Sequence, residues 1–133
     1  MPGQVHSIIT KRDFDFSALT ASTIEIPIVR AMDITDASEL TLQVRVHSRT
    51  ITSGSIQVIA RAISLTEEEP NTDFLSAGSD LASITLNTAA PILHLATLST
   101  PFGSMVRIVV KGTGAAASTI RANISVDLIV RTQ

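Results

Sequence analysis

Three histidines, twelve carboxylates and a large stock of hydroxyls are the groups in this sequence that could do chemistry; there is no cysteine. The missing cysteines remove thiolate nucleophiles, disulfides and Cys-ligated zinc together, and fit either redox compartment. A serine hydrolase would place its nucleophile on a sharp turn, usually within Gly-x-Ser-x-Gly, beside a histidine and an acid. That motif is absent, and Ser53-Gly54-Ser55 and Gly103-Ser104 read as turns. His6, His47 and His94 are far apart in sequence and lack the spacing of a local metal site. His47 follows the polar positions of its segment and is expected in solvent, whereas His94 shares parity with Ile92 and Ala96 and is expected in a core or an interface. Glu67, Glu68, Glu69, Asp73 and Asp80 offer the oxygen ligands calcium takes, but their spacing fits no EF-hand, and a solvated acidic loop is the expected reading. A carboxylate pair for glycoside hydrolysis is defined in space, not by spacing, and no Trp or Tyr is present to form sugar subsites. Gly112-Thr113-Gly114 lacks the lysine and strand-to-helix context of a phosphate loop and reads as a hairpin turn. Asn123-Ile124-Ser125 matches a glycosylation sequon, read as chance within a strand. The expectation is a non-enzymatic protein with no catalytic residue, cofactor or metal.

The elements that would position these groups are strands. Ile120, Ala122, Ile124, Val126, Leu128 and Val130 alternate with Arg121, Asn123, Ser125, Asp127 and Arg131, a period of two that a helix would scramble. Leu40, Leu42, Val44 and Val46 repeat the pattern, Thr52-Ser53-Gly54 supplies a turn, and Ile56, Val58, Ala60 and Ala62 resume it, which predicts a long hairpin. Ile24, Ile26 and Ile28 form a further strand, and Pro27, having no ladder donor, places it at an edge or a bulge. Segments at 82–86, 92–98 and 106–110, with a short strand near Val5 to Thr10, bring the total to about eight. The predicted fold is all-β: a single antiparallel β-sandwich, with a jelly roll placed ahead of an immunoglobulin-like topology. Residues 1–21 are expected to form an N-terminal arm with a short strand, and 22–133 the sandwich domain. Residues 66–80 break the alternation and are expected as an acidic loop or a single helical turn capped by Thr66.

Composition narrows the partners. A formal charge of −2, with ten Lys and Arg scattered along the chain, gives no phosphate-tracking stripe, so no nucleic acid is expected. No apolar run is long enough for a membrane-spanning helix, and the start lacks the pattern of a secretory signal, so a soluble protein without membrane partners is expected. Val29, Ile59, Ile63 and Ile129 fall on nominally outward positions, and are expected to lie under a covering loop or in a subunit interface. Phe14 and Phe16 either anchor an interface or plug the end of the sandwich. A homo-oligomer follows as the expected state, a trimer being one closed form.

The Leu42 to His47 run, the turns at Ser99-Thr100-Pro101-Phe102-Gly103 and Lys111-Gly112-Thr113-Gly114, and the Ser/Thr/Ala/Ile/Val-rich, cysteine-free rhythm over most of the chain resemble small β-sandwich virion proteins of tailed bacteriophages. That resemblance implies a head decoration or cement-like protein, located in the virion after assembly in the host cytoplasm, with the major capsid or another virion protein as partner. The N-terminal arm and the acidic loop would supply the contacts. A neck, tail or baseplate component and a carbohydrate- or receptor-binding module remain the alternatives.

Overall fold

The computed structural model describes residues 3–63, 80–86, 92–98 and 105–132. They form eight strands: β1 (Gly3–Asp15), β2 (Thr23–Asp33), β3 (Ala37–Ile51), β4 (Ser55–Ile63), β5 (Asp80–Leu86), β6 (Leu93–Thr97), β7 (Met105–Thr113) and β8 (Ile120–Thr132). Two four-stranded antiparallel sheets face each other, a first sheet in the order β1-β8-β3-β6 and a second in the order β2-β7-β4-β5. The pairs β1·β8, β2·β7, β3·β6 and β4·β5 are nested: the chain is one long ribbon of antiparallel pairs, doubled back on itself. The ribbon then rolls up, so that β3 also meets β8 and β4 also meets β7. This is the jelly-roll solution to burying one face of each strand.

Alternation predicted the faces. Leu40, Leu42 and Val44 from β3 and Ile120, Ile124, Val126 and Leu128 from β8 are fully enclosed, and they meet Ile56, Val58, Val106, Ile108 and Val110 from the second sheet. The long hairpin expected from β3 and β4 does not form. Those strands belong to opposite sheets, and Thr52 to Gly54 form a corner between them, not a ladder turn. Thr52 N donates to Thr119 O at 2.9 Å, Thr119 N donates to Thr52 Oγ1 at 2.9 Å, and Gly54 takes φ 75°. A hairpin and a sheet-crossing corner share the same alternation, because both bury one face of each strand. The turn expected at Gly112-Thr113-Gly114 is also displaced: Gly112 and Thr113 lie inside β7, and the chain turns over 114–119, where Ala117 has φ 55°.

Near the N terminus, β1 runs from Gly3 to Asp15 and pairs with β8 through two register shifts, so this segment is a full strand of the first sheet. Pro27 does sit on an edge strand and at a bulge: β2 ends the second sheet, and its register shifts between Pro27 and Val29. That shift resets parity. Val29, expected outward, therefore faces Ile108 and packs against the core.

Ile59 is also accounted for. It stands on the outer face of the second sheet beside Val109, yet both are only 2% exposed. Arg61 on β4 reaches across β7 to Glu25 on β2, Nη1 donating to Oε1 at 2.6 Å and Nη2 to Oε2 at 2.7 Å, while its Nε donates to Asp80 Oδ1 at 2.7 Å. By register, the diagonal from Arg61 to Glu25 passes over Val109, so the arginine stem roofs this apolar pair. The hydrogen bonds from Arg61 hold the Glu25 carboxyl below its ordinary value against the opposing cost of burial, with further help from the charges of Arg61, Lys111 and Arg107. A depressed carboxylate stabilises the fold above its unfolded pKa, and the contribution vanishes as pH falls through the folded value. Glu25→Gln is therefore expected to cost about 1–2 kcal/mol at neutral pH. The gap between variant and parent should close in acid, below the ordinary glutamate range, as read by urea midpoints over a pH series.

Candidate interaction surface

The outer face of the first sheet carries a cluster of polar side chains, and β8 runs through its middle. Asn123, Ser125, Asp127, Ile129 and Arg131 line that face, flanked by β1 and β3. Central placement buries what alternation assigns to solvent: Ser125 is 1% exposed and Asp127 is also buried. Each is satisfied locally. Ser125 Oγ accepts from Lys11 N at 3.0 Å and lies 2.7 Å from His47 Nε2. Asp127 Oδ2 accepts from Gln43 Nε2 at 3.1 Å and faces Arg45 Nη2 at 3.5 Å.

A serine–histidine contact suggests an activated nucleophile, and its surroundings decide the matter. A nucleophile needs open approach and a base oriented by an acid. Ser125 is enclosed, and Asp127, two residues along, is held by Gln43 and Arg45. The contact instead secures two bulges. Lys11, at φ 48°, offers its N–H to Ser125 and its carbonyl to Asn123 Nδ2 at 3.2 Å, while His47 sits at the register shift between Val46 and Ser48. His47, expected in solvent, is an exposed residue whose ring is tied down. Nothing in the alternation signals this clip, because it needs β1 and β3 on either side of β8.

At the edges of the same sheet the surface turns apolar. Val5 on β1 is 64% exposed beside half-buried Ile129 on β8; at the opposite edge Ile92, Leu93 and Leu95 are 72%, 49% and 59% exposed. Of the residues expected at an interface, Ile129 lies on this face. Phe14 and Phe16 do not: both are buried, stacked with centroids 6.3 Å apart, and they plug the sandwich end. Ile63 closes β4 opposite Met105, and its side chain lies outside the described residues. The acidic loop lies outside them as well, except for Asp80, which pairs with Arg61.

His6 is exposed on β1, and His94 faces inward opposite Val44 with its Nε2 buried and without a hydrogen-bond partner. Among the described residues no three of His, Asp and Glu group as a metal site. A cleft of about 530 Å³ lies where β1, β3 and β8 meet, lined by Asp13, Asp15, Arg49 and Arg121 among others. Its two carboxylates have partners within the chain: Asp13 Oδ1 accepts from Asn123 Nδ2 at 2.8 Å, and Asp15 Oδ1 from Ser17 N at 2.9 Å. The Ser17 hydroxyl first, and then that backbone N–H, hold the Asp15 carboxyl below its ordinary value.

No family model matches this sequence, and no curated protein matches it. Among solved structures, the chain is similar to one chain in the structure of infectious bursal disease virus, Gx strain, with a TM-score of 0.50 and 12% identity, covering 97% of this chain and 31% of that one. The present chain thus spans about a third of that protein's length. At this identity the likeness is one of fold alone.

Proposed function

We propose that the protein is a non-enzymatic structural component of a virus particle, decorating and stabilising the capsid of a tailed bacteriophage through protein–protein contacts. The observation that carries this reading is the nested eight-stranded roll, which follows a chain of a virus structure over nearly its full length. The surface supports it in kind, since polar side chains at the centre of the first sheet are locked to one another while apolar residues stand exposed at its edges. Its partners would be copies of itself and the major capsid or another virion protein.

The mechanism is linkage. A protein that binds the assembled lattice better than its separated parts stabilises the lattice by that difference, about 2.7 kcal/mol at one hundred times its Kd. No bond is made or broken. The test is co-sedimentation with purified DNA-free phage shells, followed by thermal disruption of the loaded shells. Saturable binding and a raised disruption temperature are expected. Binding to isolated tails or baseplates instead of heads would move the protein to those structures, and binding only on a glycan array would replace the structural role with a receptor-binding one.

A further inference from the structure

Among the described residues the two sheets end in four edge strands, and three of them are blunted. β1 carries two register shifts and the charges of Lys11, Arg12 and Asp13. β2 carries Pro27 and two register shifts. β5 begins with Asp80, held by Arg61, and turns Ser83 and Thr85 outward. Such features keep a sheet edge from pairing with another chain. β6 has none of them: Leu93–Thr97 contains no charge and no proline, keeps unbroken register with β3, and shows its leucines to solvent.

Its hydrogen bonds fix which backbone groups are open. Val46 N donates to Ile92 O at 2.7 Å, and Leu98 N donates to Leu40 O at 2.9 Å, so the even-numbered residues from 92 to 98 turn toward β3. In an antiparallel ladder the intervening residues turn the other way. Leu93, Leu95 and Thr97 therefore direct N–H and C=O away from β3, and among the described residues β6 has no second ladder neighbour.

The geometry points to a second copy of this chain as the occupant of that edge, its own β6 pairing antiparallel about a two-fold axis through His94. Three features favour a self-complementary partner. The Leu-His-Leu sequence reads the same in both directions, so this register sets Leu93 against Leu95 of the second copy, and Leu95 against Leu93, in hydrogen-bonded pairs on one face. The strand is neutral, so pairing it with itself opposes no like charges. The axis also sets the two His94 residues opposite each other as a non-hydrogen-bonded pair, whose side chains approach most closely, and the buried, unpartnered Nε2 of each gains an imidazole as neighbour. The inference rests on the edge strand itself and does not require the virion role.

The absence of cysteine makes the register testable, since any disulfide in a single-cysteine variant must join two chains. A non-hydrogen-bonded antiparallel pair has Cα atoms about 4.5 Å apart, within disulfide range. Mild oxidation of full-length His94→Cys should give a covalent dimer on a non-reducing gel, with far less from Leu95→Cys or Val5→Cys. Native mass across a micromolar-to-nanomolar dilution series should show a dimer for the parent and a monomer for Leu93→Lys and Leu95→Lys, both at solvent-exposed positions, with thermal midpoints that match the parent's at dilutions where the parent is also monomeric. A monomeric parent, equal cross-linking at all three positions, or a dimer that survives Leu95→Lys would overturn the pairing. A monomer that still binds shells sinks this inference alone; a β6-paired dimer that ignores shells sinks the virion reading alone.

Discussion

Gly112→Ala is expected to destabilise the protein by about 3 kcal/mol, the upper end of the range for forcing extra atoms into a packed core. Gly112 faces the interior from β7, between Ile24 and Ile56 on the neighbouring strands. The ring of Phe16 lies flat against it, and an added Cβ would come closer than 3.0 Å to three ring carbons. The ring has little freedom to retreat. Phe16 N donates to Ile120 O at 2.7 Å, Ile120 N donates to Ser17 Oγ at 2.9 Å, and Phe14 stacks against the ring at an interplanar angle of 13°. The lower entropy of an unfolded chain with alanine in place of glycine returns at most about 1 kcal/mol. Phe16→Ala alone should cost about 3–5 kcal/mol by leaving a cavity. In the double variant the new methyl enters space the ring has left, so the combined loss should be smaller than the sum, and urea midpoints of the four proteins measure that coupling. A neutral Gly112→Ala would mean that Phe16 does not close this end of the sandwich.

How much of this was legible in the sequence depended on range. Alternation found the inward faces of β3, β4 and β8, because burying one side of a strand requires it wherever the strand pairs. The edge position of β2 followed from the missing N–H of Pro27. The sheet to which each strand belongs did not follow: β3 and β4 alternate as hairpin partners would, yet pair with β8 and β7 from the far end of the chain. Val29 was misplaced for a related reason, since one bulge flips every later side chain, and a bulge depends on the partner strand. Ile59 looked exposed because nothing local shows Arg61 reaching across a whole strand to Glu25. Gly112 looked like a turn residue because its use as a floor for Phe16, nearly a hundred residues earlier, is tertiary. The exposed leucines of β6 were visible as apolar residues, but a five-residue strand alternating Leu, His, Leu and Ala has no polar face to tell inside from outside. Ser125 and Asp127 fall on the polar side of the alternation, and their burial is not legible there because it depends on the neighbours of β8.

The second large effect is expected at Leu128. It sits on the central strand of the first sheet, cross-paired with His6 and Leu42, and is fully enclosed. Leu128→Ala should cost about 4 kcal/mol, from lost burial and from a cavity that strands held on both sides cannot collapse to fill. Its neighbour Ile129 points to the opposite face, half-buried between Val5 and Thr41. Ile129→Ala should cost less than about 1 kcal/mol in the isolated chain. The contrast is sharp because the two residues are adjacent and similar in volume, so only the face of the sheet separates them. Chemical denaturation at a concentration where the chain is monomeric gives both values. If both changes cost several kcal/mol, the outer face of β8 would be packed within the single chain, and Ile129 would be removed from the surface available to partners. If Leu128→Ala alone is costly, Ile129→Ala becomes a clean probe of association: a loss of shell binding with normal stability would place the contact on the Val5 side of the first sheet, across from the β6 edge.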